Sequence, residues 1–498
     1  MKRYILAHDL GTSGNKATLF DEDGNFIKSA VYPYKMYTGA DNSAEQNADD
    51  WWKAVCETSK QLAAEVGKES IAAMSFSGQM MGCLCVDKGG KPLCNSLIWA
   101  DMRSAKQADY IKAHMTDERF YKITGHRISA SYSLTKLMWI RDNLPEIYEK
   151  TYKVLNAKDY IILKLTGNFV TEPSDASSTC LFDLNTFSWS DEILNISGLE
   201  KDKLPEIISS DAVAGTITPK AAEETGLSKN IKIICGGGDG CCAAVGSGIV
   251  KEGVANCCLG TSSWISLASK NPVYSPNMET FNFAHIVPGY VLPCGTMQTG
   301  GGALSWAVET IYGRDCEKDK IYKIMQREVE STVPGANKLV FLPYLIGERS
   351  PRWNNKAKGA FLGLAIGHSR GDIMRSVMEG VGYNLDIILN SFKSCGADIE
   401  ELVMIGGGAR NKIWQKILCD IFNIPVKVPD CLEEATSMGA AVTAGVGAGI
   451  FEDFNTIEKF IKIKEVNLPN QENKKVYFEM KKIFNDAYYA LEPIFGEL

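Results

Sequence analysis

Short apolar segments separated by glycine-containing turns organise the first part of the chain. Their spacing predicts strands over residues 4–10, 16–20, 26–34, 71–76 and 82–86, with an Asp-Gly turn signal between the second and the third. Between the third and fourth strands, apolar positions recur at helical spacing and predict a helix over residues 48–66, capped by Asn47 or Asp49. This order of elements indicates a mixed α/β fold.

A similar pattern returns near the middle of the chain. Residues 231–235 and 255–259 predict buried strands, and residues 264–268 predict a return strand. The motif Leu-Gly-Thr-Ser therefore lies at a predicted hairpin turn twice, within residues 9–14 and within residues 258–263. Two copies of the same hairpin-turn motif, half a chain apart, suggest a duplicated domain, although four matching residues also arise by chance.

Glycine-rich residues 236–253 predict a hinge that divides the chain into an N-terminal domain, residues 1–248, and a C-terminal domain, residues 249–498. The last stretch of the C-terminal domain is rich in Lys and Glu and predicts a solvated helical end. A chain of 498 residues with 45% hydrophobic and 23% charged residues is typical of a globular protein of this size.

Charge and cysteine usage exclude several functional classes. A net charge of −7 disfavours non-specific nucleic-acid binding, because phosphate backbones select basic surfaces. The apolar run at the N-terminus is broken by His8 and Asp9, and no stretch of the length needed to span a bilayer occurs, so we expect no signal peptide and no membrane segment. The 15 cysteines form no C-x-x-C pair and the five histidines are scattered, which favours a reducing, cytoplasmic location and no structural metal.

Four glycine turns follow apolar runs, at residues 11–14, 260–263, 300–302 and 406–408. Backbone N–H groups in such turns hold phosphate well, since no side chain obstructs them and Thr or Ser adds a hydroxyl. Each turn taken singly predicts no more than a hairpin, whereas four of them favour a nucleotide-binding site. The P-loop motif and a complete G-x-G-x-x-G are both absent, so a different architecture would have to bind the nucleotide.

Two aspartates lie beside these turns and are candidates for phosphoryl-transfer chemistry. Asp9 ends the first strand, and Asp239 follows three glycines after another apolar run. Phosphoryl transfer needs charge neutralisation by Mg²⁺ and a carboxylate that accepts the hydroxyl proton. The alternative is that each aspartate caps the next turn or helix, and it applies to Asp239 in particular because a helix over residues 241–245 could begin there.

Five sequence blocks, in order, resemble the FGGY carbohydrate kinases, and within them most closely the xylulokinases. They are DLGTSGNKATLF (residues 9–20), SYSLTKLMWIRDN (131–143), GGGDGCCAAVGSG (236–248), GAFLGLAIGHSRGDIMRSVMEG (359–380) and GGGAR (406–410). The resemblance implies two actin-like ATPase (ribonuclease H-like) α/β domains, each built around a five-stranded mixed sheet, with the active site in the cleft between them. The N-terminal domain would bind the sugar and the C-terminal domain the nucleotide.

The resemblance also implies a role for individual residues. Asp239 would be the general base on the sugar hydroxyl, and Asp9 would lie near Mg²⁺ and the phosphates, acting through water. ATP would be bound by Gly11, Thr12, Ser13, Gly260, Thr261, Gly302, Gly407, Gly408 and Asn411. The sugar would be bound by Gln79, Met80, Met81, Trp99, Asp101 and Arg103. From composition alone, the methionines and Trp99 would be core residues and Asp101 with Arg103 a surface ion pair.

One residue departs from the xylulokinase pattern, which usually has histidine where this chain has Met81. A thioether is at best a weak acceptor, so the hydroxyl groups tolerated by the site would change. The implied reaction is transfer of the γ-phosphoryl group of ATP to D-xylulose, giving D-xylulose 5-phosphate. Another ketose, a polyol or an aldonate (ribulose, glycerol or gluconate) stays open as substrate. So do a sugar-independent actin-like ATPase and a sugar-binding regulator without activity.

The expected partners are therefore a small sugar and ATP, with no nucleic acid and no membrane. A homodimer is left open as the oligomeric state. A Rossmann dehydrogenase is disfavoured, because the dinucleotide fingerprint is missing and the early strands are antiparallel.

Overall fold

The computed structural model describes residues 2–313, 318–430 and 434–498. Its N-terminal half is built on a mixed sheet of seven strands, in the order β5-β6-β4-β1-β2-β3 with β7 also paired to β4. These strands are β1 (Tyr4–Leu10), β2 (Gly14–Asp21), β3 (Phe26–Pro33), β4 (Ile71–Gly78), β5 (Val213–Thr216), β6 (Lys232–Ile234) and β7 (Gly237–Gly238).

A second seven-stranded sheet forms the C-terminal half, in the order β10-β11-β9-β8-β12-β13-β14. Its strands are β8 (Gly253–Leu259), β9 (Ser263–Leu267), β10 (Phe281–Ala284), β11 (Val291–Met297), β12 (Ile399–Ile405), β13 (Val426–Pro429) and β14 (Ile463–Asn467). In both sheets the first strand pairs antiparallel with its hairpin partner and parallel with a later strand. Six strands of each sheet follow the same sequence of parallel and antiparallel pairs: β3-β2-β1-β4-β6-β5 in the first sheet and β11-β9-β8-β12-β13-β14 in the second. The repeated Leu-Gly-Thr-Ser motif thus reflects a repeated sheet.

The sheets are larger than the five strands that the family resemblance implied. In the first sheet, β5 pairs antiparallel on the outer edge and β7 adds a short pairing to β4. In the second, β10 extends one edge and β14 the other. Strand β14 also lies within the C-terminal stretch for which composition predicted only helix, because a largely exposed strand at a sheet edge tolerates charged residues.

Helices cover both sheets. They are α1 (Ala48–Val66), α2 (Ala105–His114), α3 (Asp117–Thr124), α4 (Ser133–Asn143), α5 (Pro145–Lys150), α6 (Ala157–Thr166), α7 (Pro173–Ser178), α8 (Asp191–Ser197), α9 (Pro219–Thr225), α10 (Asp239–Gly246), α11 (Gly301–Tyr312), α12 (Lys318–Glu330), α13 (Arg370–Ser394), α14 (Lys412–Phe422), α15 (Ala435–Gly447), α16 (Ile457–Phe460) and α17 (Lys474–Leu491). In the part of the chain that the structure describes, none of these helices combines the length and the apolar character needed to cross a membrane.

Helix α1 has the bounds that its apolar periodicity predicts. Its N-cap is Asn47, whose side chain accepts a hydrogen bond from the backbone N–H of Asp49, so the first of the two candidate caps is confirmed. The buried side of α1 presents Trp51 and Val55 to the first sheet. Local sequence signals therefore suffice to define this element.

Two helices meet between the sheets, α10 from the glycine-rich middle segment and α15 from the C-terminal half. A Cβ atom on Gly439 would lie 1.9 Å from the carbonyl oxygen of Cys242, and one on Gly246 would lie 1.7 Å from that of Ala435. The backbones approach so closely that only glycine fits at either crossing point. Eight residues of the segment predicted as a hinge therefore form a packed helix, and α15 shares a buried cluster with Ile5 of the first sheet.

Candidate active site

A cavity of about 230 Å³ lies between the two halves. The N-terminal half contributes Met80, Met81, Asp239, Gly240 and Ala243; the C-terminal half contributes Trp264, Ser266, Phe281, Phe283, Leu292, Cys294, Thr296, Arg349 and Thr436. The wall is mainly apolar, with one carboxylate and one guanidinium as its charged groups. The structure thus brings three of the predicted site residues, Met80, Met81 and Asp239, into one cavity.

Asp239 is the first residue of α10 and does not cap it. The N-cap is Gly238, and the carboxylate of Asp239 accepts a hydrogen bond through Oδ1 from the N–H of Gly240, at 2.7 Å. Burial raises the pKa of Asp239 from its ordinary 3.8 to about 7, and the negative charge of Asp9 adds to this effect. A carboxylate with this pKa exchanges a proton near neutral pH, as a general base must.

Asp9 lies at the end of β1, next to β4. The hydroxyl of Ser77 donates to its Oδ1 at 2.9 Å. Burial raises the pKa of Asp9 to about 6, while the Ser77 hydrogen bond and the charge of Lys16 oppose the rise. Lys16 pairs at 2.5 Å with Glu434, directly before α15, and so links the two halves beside Asp9. The sequence analysis singled out neither member of this ion pair, because 418 residues separate them.

The first glycine turn connects β1 and β2. Gly11 donates its N–H to the carbonyl of Gly14 at 3.1 Å, which closes the turn. The N–H groups of Thr12 and Ser13 donate to no acceptor in the described residues. The indole N–H of Trp99, a residue that is 45% exposed, donates to Thr12 Oγ1 at 2.9 Å. Trp99 therefore contacts the first turn, and it is not a core residue as composition alone suggested.

The second glycine turn opens onto a larger cavity of about 570 Å³ in the C-terminal half. It is lined by Leu259, Gly260, Thr261, Gly301, Leu304, Ser305, Tyr322, Gln326, Gly407, Gly408, Arg410, Asn411 and Trp414. Five of the predicted ATP-binding residues lie together here. Gly302, the sixth candidate of this half, is at the start of α11, where its N–H donates to the carbonyl of Thr261 at 3.0 Å.

The side-chain amide of Asn411 has hydrogen-bond partners on its oxygen and none on its nitrogen in the described residues. Its Oδ1 accepts from the N–H groups of Ile413 and Trp414 and so caps α14. Its Nδ2 is buried and has no hydrogen-bond partner in the described residues. A buried donor without a partner is costly, and Asn411 is one of the residues that line the larger cavity.

Gln79 is placed differently from the sugar-side prediction. It is buried, and its Nε2 donates to Oε1 of Gln46 at 2.6 Å; Gln46 Nε2 in turn donates to the carbonyl oxygen of Thr12 at 2.6 Å. Gln79 thus connects the end of β4 to the first glycine turn and does not line the interdomain cavity. Its Oε1 has no hydrogen-bond partner in the described chain.

Asp101 and Arg103 form an ion pair at 2.7 Å, away from the lining of the cavity. Asp101 is fully buried and also accepts from the N–H of Ala44, while Arg103 pairs with Glu45 at 2.6 Å and stacks over Trp139. The pair is therefore not the exposed one that composition suggested, since burial and a second acid hold it in place.

Arg349 lines the interdomain cavity and was not singled out in the sequence. Its guanidinium lies 5.8 Å from the ring centre of Phe281 and 5.9 Å from that of Trp353. Within the described residues it forms no side-chain hydrogen bond and no ion pair. Nothing in the local spacing distinguishes this arginine from a surface residue, and only the tertiary contacts place it in the cavity that Asp239 also lines.

The carboxylates suit a magnesium ion that is bound mainly through water and phosphate. Among the residues that the structure describes, no cluster of three or more His, Cys, Asp or Glu side chains could enclose a metal. Mg²⁺ ordinarily keeps several waters and takes one or two carboxylates with substrate phosphates, so it does not require such a cage. Asp9, beside the first glycine turn, fits that role.

Comparison with known proteins agrees with this geometry. The model of the FGGY family of carbohydrate kinases, N-terminal domain, matches residues 4–246, and that of the C-terminal domain matches residues 255–448. The chain belongs to the FGGY family of carbohydrate kinases. The predicted family, enzyme class and two-domain actin-like fold are thereby confirmed, and FGGY kinases use ATP as their phosphoryl donor.

Relatives of this FGGY kinase carry two different substrate names. A xylulose kinase of Staphylococcus epidermidis is 32% identical, with 100% of this chain and 99% of the relative covered. A gluconokinase of Bacillus licheniformis is 30% identical, covering 100% and 98%. The crystal structure of ligand-bound xylulose kinase from Lactobacillus acidophilus has a TM-score of 0.93 at 26% identity, covering 99% of each chain. The fold and enzyme class are therefore common to relatives that differ in their sugar.

Proposed function

We propose that this FGGY kinase transfers the γ-phosphoryl group of ATP to a hydroxyl of a small ketose, with D-xylulose as the first candidate and D-xylulose 5-phosphate as its product. The observation that carries the proposal is the position of Asp239, whose carboxylate faces a cavity of sugar size between the two halves. The names of the relatives support the choice of D-xylulose.

The proposed mechanism assigns a separate task to each charged group. Asp239 accepts the hydroxyl proton as the sugar oxygen attacks the γ-phosphorus, and the bond from phosphorus to the β–γ bridging oxygen breaks. The unpartnered N–H groups of Thr12 and Ser13 are donors for phosphate oxygens, and the turn at Gly260 and Thr261 does the same from the other side. Mg²⁺, held through water by Asp9, supplies neutralisation of phosphate charge when it is bound.

The nucleotide is proposed to occupy the larger cavity, with the adenosine against Gly407 and Gly408. A Cβ atom on Gly407 would meet nothing within 4 Å, so the backbone there is open to a ligand. The free Nδ2 of Asn411 supplies a donor in the same cavity. We propose that residues 1–248 and 249–498 act as the sugar and nucleotide domains, and that the enzyme acts in the cytoplasm.

An aldonate is the second candidate substrate, and Arg349 favours it. An arginine without an ion-pair partner in a largely apolar cavity is matched well by a carboxylate, which accepts two parallel hydrogen bonds from a guanidinium. The gluconokinases among the relatives support this alternative. A neutral ketose would offer Arg349 no charged partner, so that within the cavity the guanidinium would contact mainly the rings of Phe281 and Trp353.

A coupled ADP-release assay over ketopentoses, aldopentoses, polyols and aldonates tests the proposal. The highest kcat/KM is expected for a ketopentose, and Arg349→Met should then change it by less than about tenfold, because no full charge pair is lost. If an aldonate is the substrate, Arg349→Met should raise its KM by more than about tenfold while leaving KM for ATP unchanged. ATP hydrolysis of equal rate with and without every sugar would contradict both candidates.

A further inference from the structure

The loop that carries the two cavity methionines is held in an unusual backbone shape. Met81 has a φ of 62°, in the left-handed region that non-glycine residues seldom adopt. Both polar groups of its backbone are taken by side chains: the N–H donates to Ser178 Oγ at 3.1 Å, and the carbonyl accepts from Lys136 Nζ at 2.8 Å. The shape is therefore imposed by surrounding side chains rather than by the local sequence.

The next residue is pinned in the same way. Gly82 donates its N–H to Asn156 Oδ1 at 2.8 Å, and its carbonyl accepts from the hydroxyl of Ser133 at 2.6 Å. Four side chains, from helices α4 and α7 and from the N-cap of α6, thus bind four consecutive backbone groups behind the cavity wall. We call these four side chains the cradle: Lys136, Ser133, Asn156 and Ser178.

Lys136 is the charged member of the cradle. It is 0% exposed, and its second hydrogen bond goes to the carbonyl of Ser131 at 2.6 Å. Burial lowers its pKa to about 7; the facing groups Cys83 and Asp101 act against this, and Arg103 adds to it. No carboxylate lies within ion-pair distance of its amine in the described residues, and both of its hydrogen bonds go to backbone carbonyls.

A buried amine without a carboxylate is expensive in free energy, and an apolar side chain would fill the same space at lower cost. The retained amine is therefore explained by what it binds, namely the carbonyl of Ser131 and the carbonyl of Met81 at the cavity wall. We propose that Lys136 is a positioning residue that fixes Met81 in its left-handed conformation and thereby sets the affinity of the cavity for the sugar. This inference rests on the proposed function of the same cavity.

Steady-state kinetics of Lys136→Met tests the proposal. KM for the sugar should rise about tenfold or more, while kcat stays within about threefold and KM for ATP does not change, because the cradle contacts neither Asp239 nor the glycine turns. Sugar binding without ATP, followed by intrinsic tryptophan fluorescence, to which Trp264 in the cavity wall contributes, should weaken in parallel. If Lys136→Met does not fold, Lys136→Arg, which keeps the charge but changes the donor geometry, carries the same comparison.

Lys153 offers a matched control. Its amine also donates to two backbone carbonyls, those of Asp202 and Leu204, at 2.7 and 2.8 Å, but these lie away from the cavity lining. Lys153→Met should therefore leave KM for the sugar unchanged. An equal rise in KM in both variants would show a general loss of stability and would overturn the positioning role.

A double-mutant cycle separates positioning from mere packing. Glycine adopts positive φ without strain, so in a Met81→Gly background the loop no longer depends on Lys136 for its shape. Lys136→Met should then alter KM for the sugar by less than about threefold, against tenfold or more with Met81 present. The same factor in both backgrounds, or a loss confined to kcat, would overturn the inference. Failure of the proposed function would differ, since the unsubstituted enzyme would phosphorylate no sugar.

Discussion

Replacing Asp239 by asparagine separates the two roles that an aspartate at the start of a helix can have. If Asp239 is the general base, Asp239→Asn removes proton acceptance while preserving size and the hydrogen bond to the N–H of Gly240. General-base catalysis contributes about 10²–10⁴ in rate, so kcat with the sugar should fall by that factor. The dissociation constant for ATP should change little, because the nucleotide cavity does not include Asp239.

The pH dependence of kcat/KM gives the assignment of Asp239 as general base a second test. With a pKa of about 7, Asp239 is deprotonated in about one tenth of molecules near pH 6 and in about nine tenths near pH 8. The kcat/KM of the unsubstituted enzyme should therefore fall roughly tenfold per pH unit below neutrality, and this limb should be absent from Asp239→Asn. A limb at the same pH in the variant would assign it to another group.

Asp239→Asn should raise the stability of the folded protein although it lowers kcat. The folded protein binds the Asp239 proton more tightly than the unfolded chain does, because its pKa is about 7 rather than 3.8. Between these values, rising pH removes the proton from the unfolded chain first, so the carboxylate lowers stability across this window and fully above it. The neutral amide escapes this effect, and the melting temperature of Asp239→Asn should exceed that of the unsubstituted protein more at pH 8 than at pH 5.

Asp191 is a matched control, since it too is the first residue of a helix, α8, but is exposed and paired with Lys201. Asp191→Asn should leave kcat within about twofold. Retention of near-normal turnover in Asp239→Asn would refute the assignment of the base. A lower melting temperature at pH 8 would instead show that Asp239 chiefly stabilises the start of α10.

Two further changes probe the helix crossing and the nucleotide cavity. Gly439→Ala should lower the free energy of unfolding by about 1–3 kcal/mol in urea titrations, because its Cβ would meet the Cys242 carbonyl. The control Gly240→Ala, whose Cβ meets nothing within 4 Å, should leave the free energy of unfolding unchanged. Equal effects of the two substitutions would contradict the close crossing of the helices. Asn411→Asp keeps the oxygen that accepts from the N–H of Trp414 and caps α14, but it removes the unpartnered amide donor. KM for ATP should therefore rise about tenfold at nearly constant melting temperature. An unchanged KM would exclude Nδ2 as a nucleotide ligand.

Local sequence signals determined much of the fold. The strand Tyr4–Leu10, the helix Ala48–Val66 and its Asn47 cap follow from apolar periodicity and capping chemistry, which act over a few residues. The repeated Leu-Gly-Thr-Ser turn likewise predicted two hairpins, and both are present with the same strand pairing. The strand ends also located Asp9 and Asp239, because a carboxylate beside a glycine turn is visible without knowledge of its neighbours.

Tertiary structure alone decided which side chains meet in the site. Gln79 and Met80 are adjacent in sequence, yet one bonds to Gln46 inside the protein and the other lines the cavity, since direction depends on what packs behind the strand end. Arg349 reaches the cavity from a distant part of the chain, and Lys136 acts on Met81 across 55 residues. Periodicity and turn chemistry act over a few residues and carry no information on such separations, because these contacts form only when segments distant in sequence pack together in the folded protein.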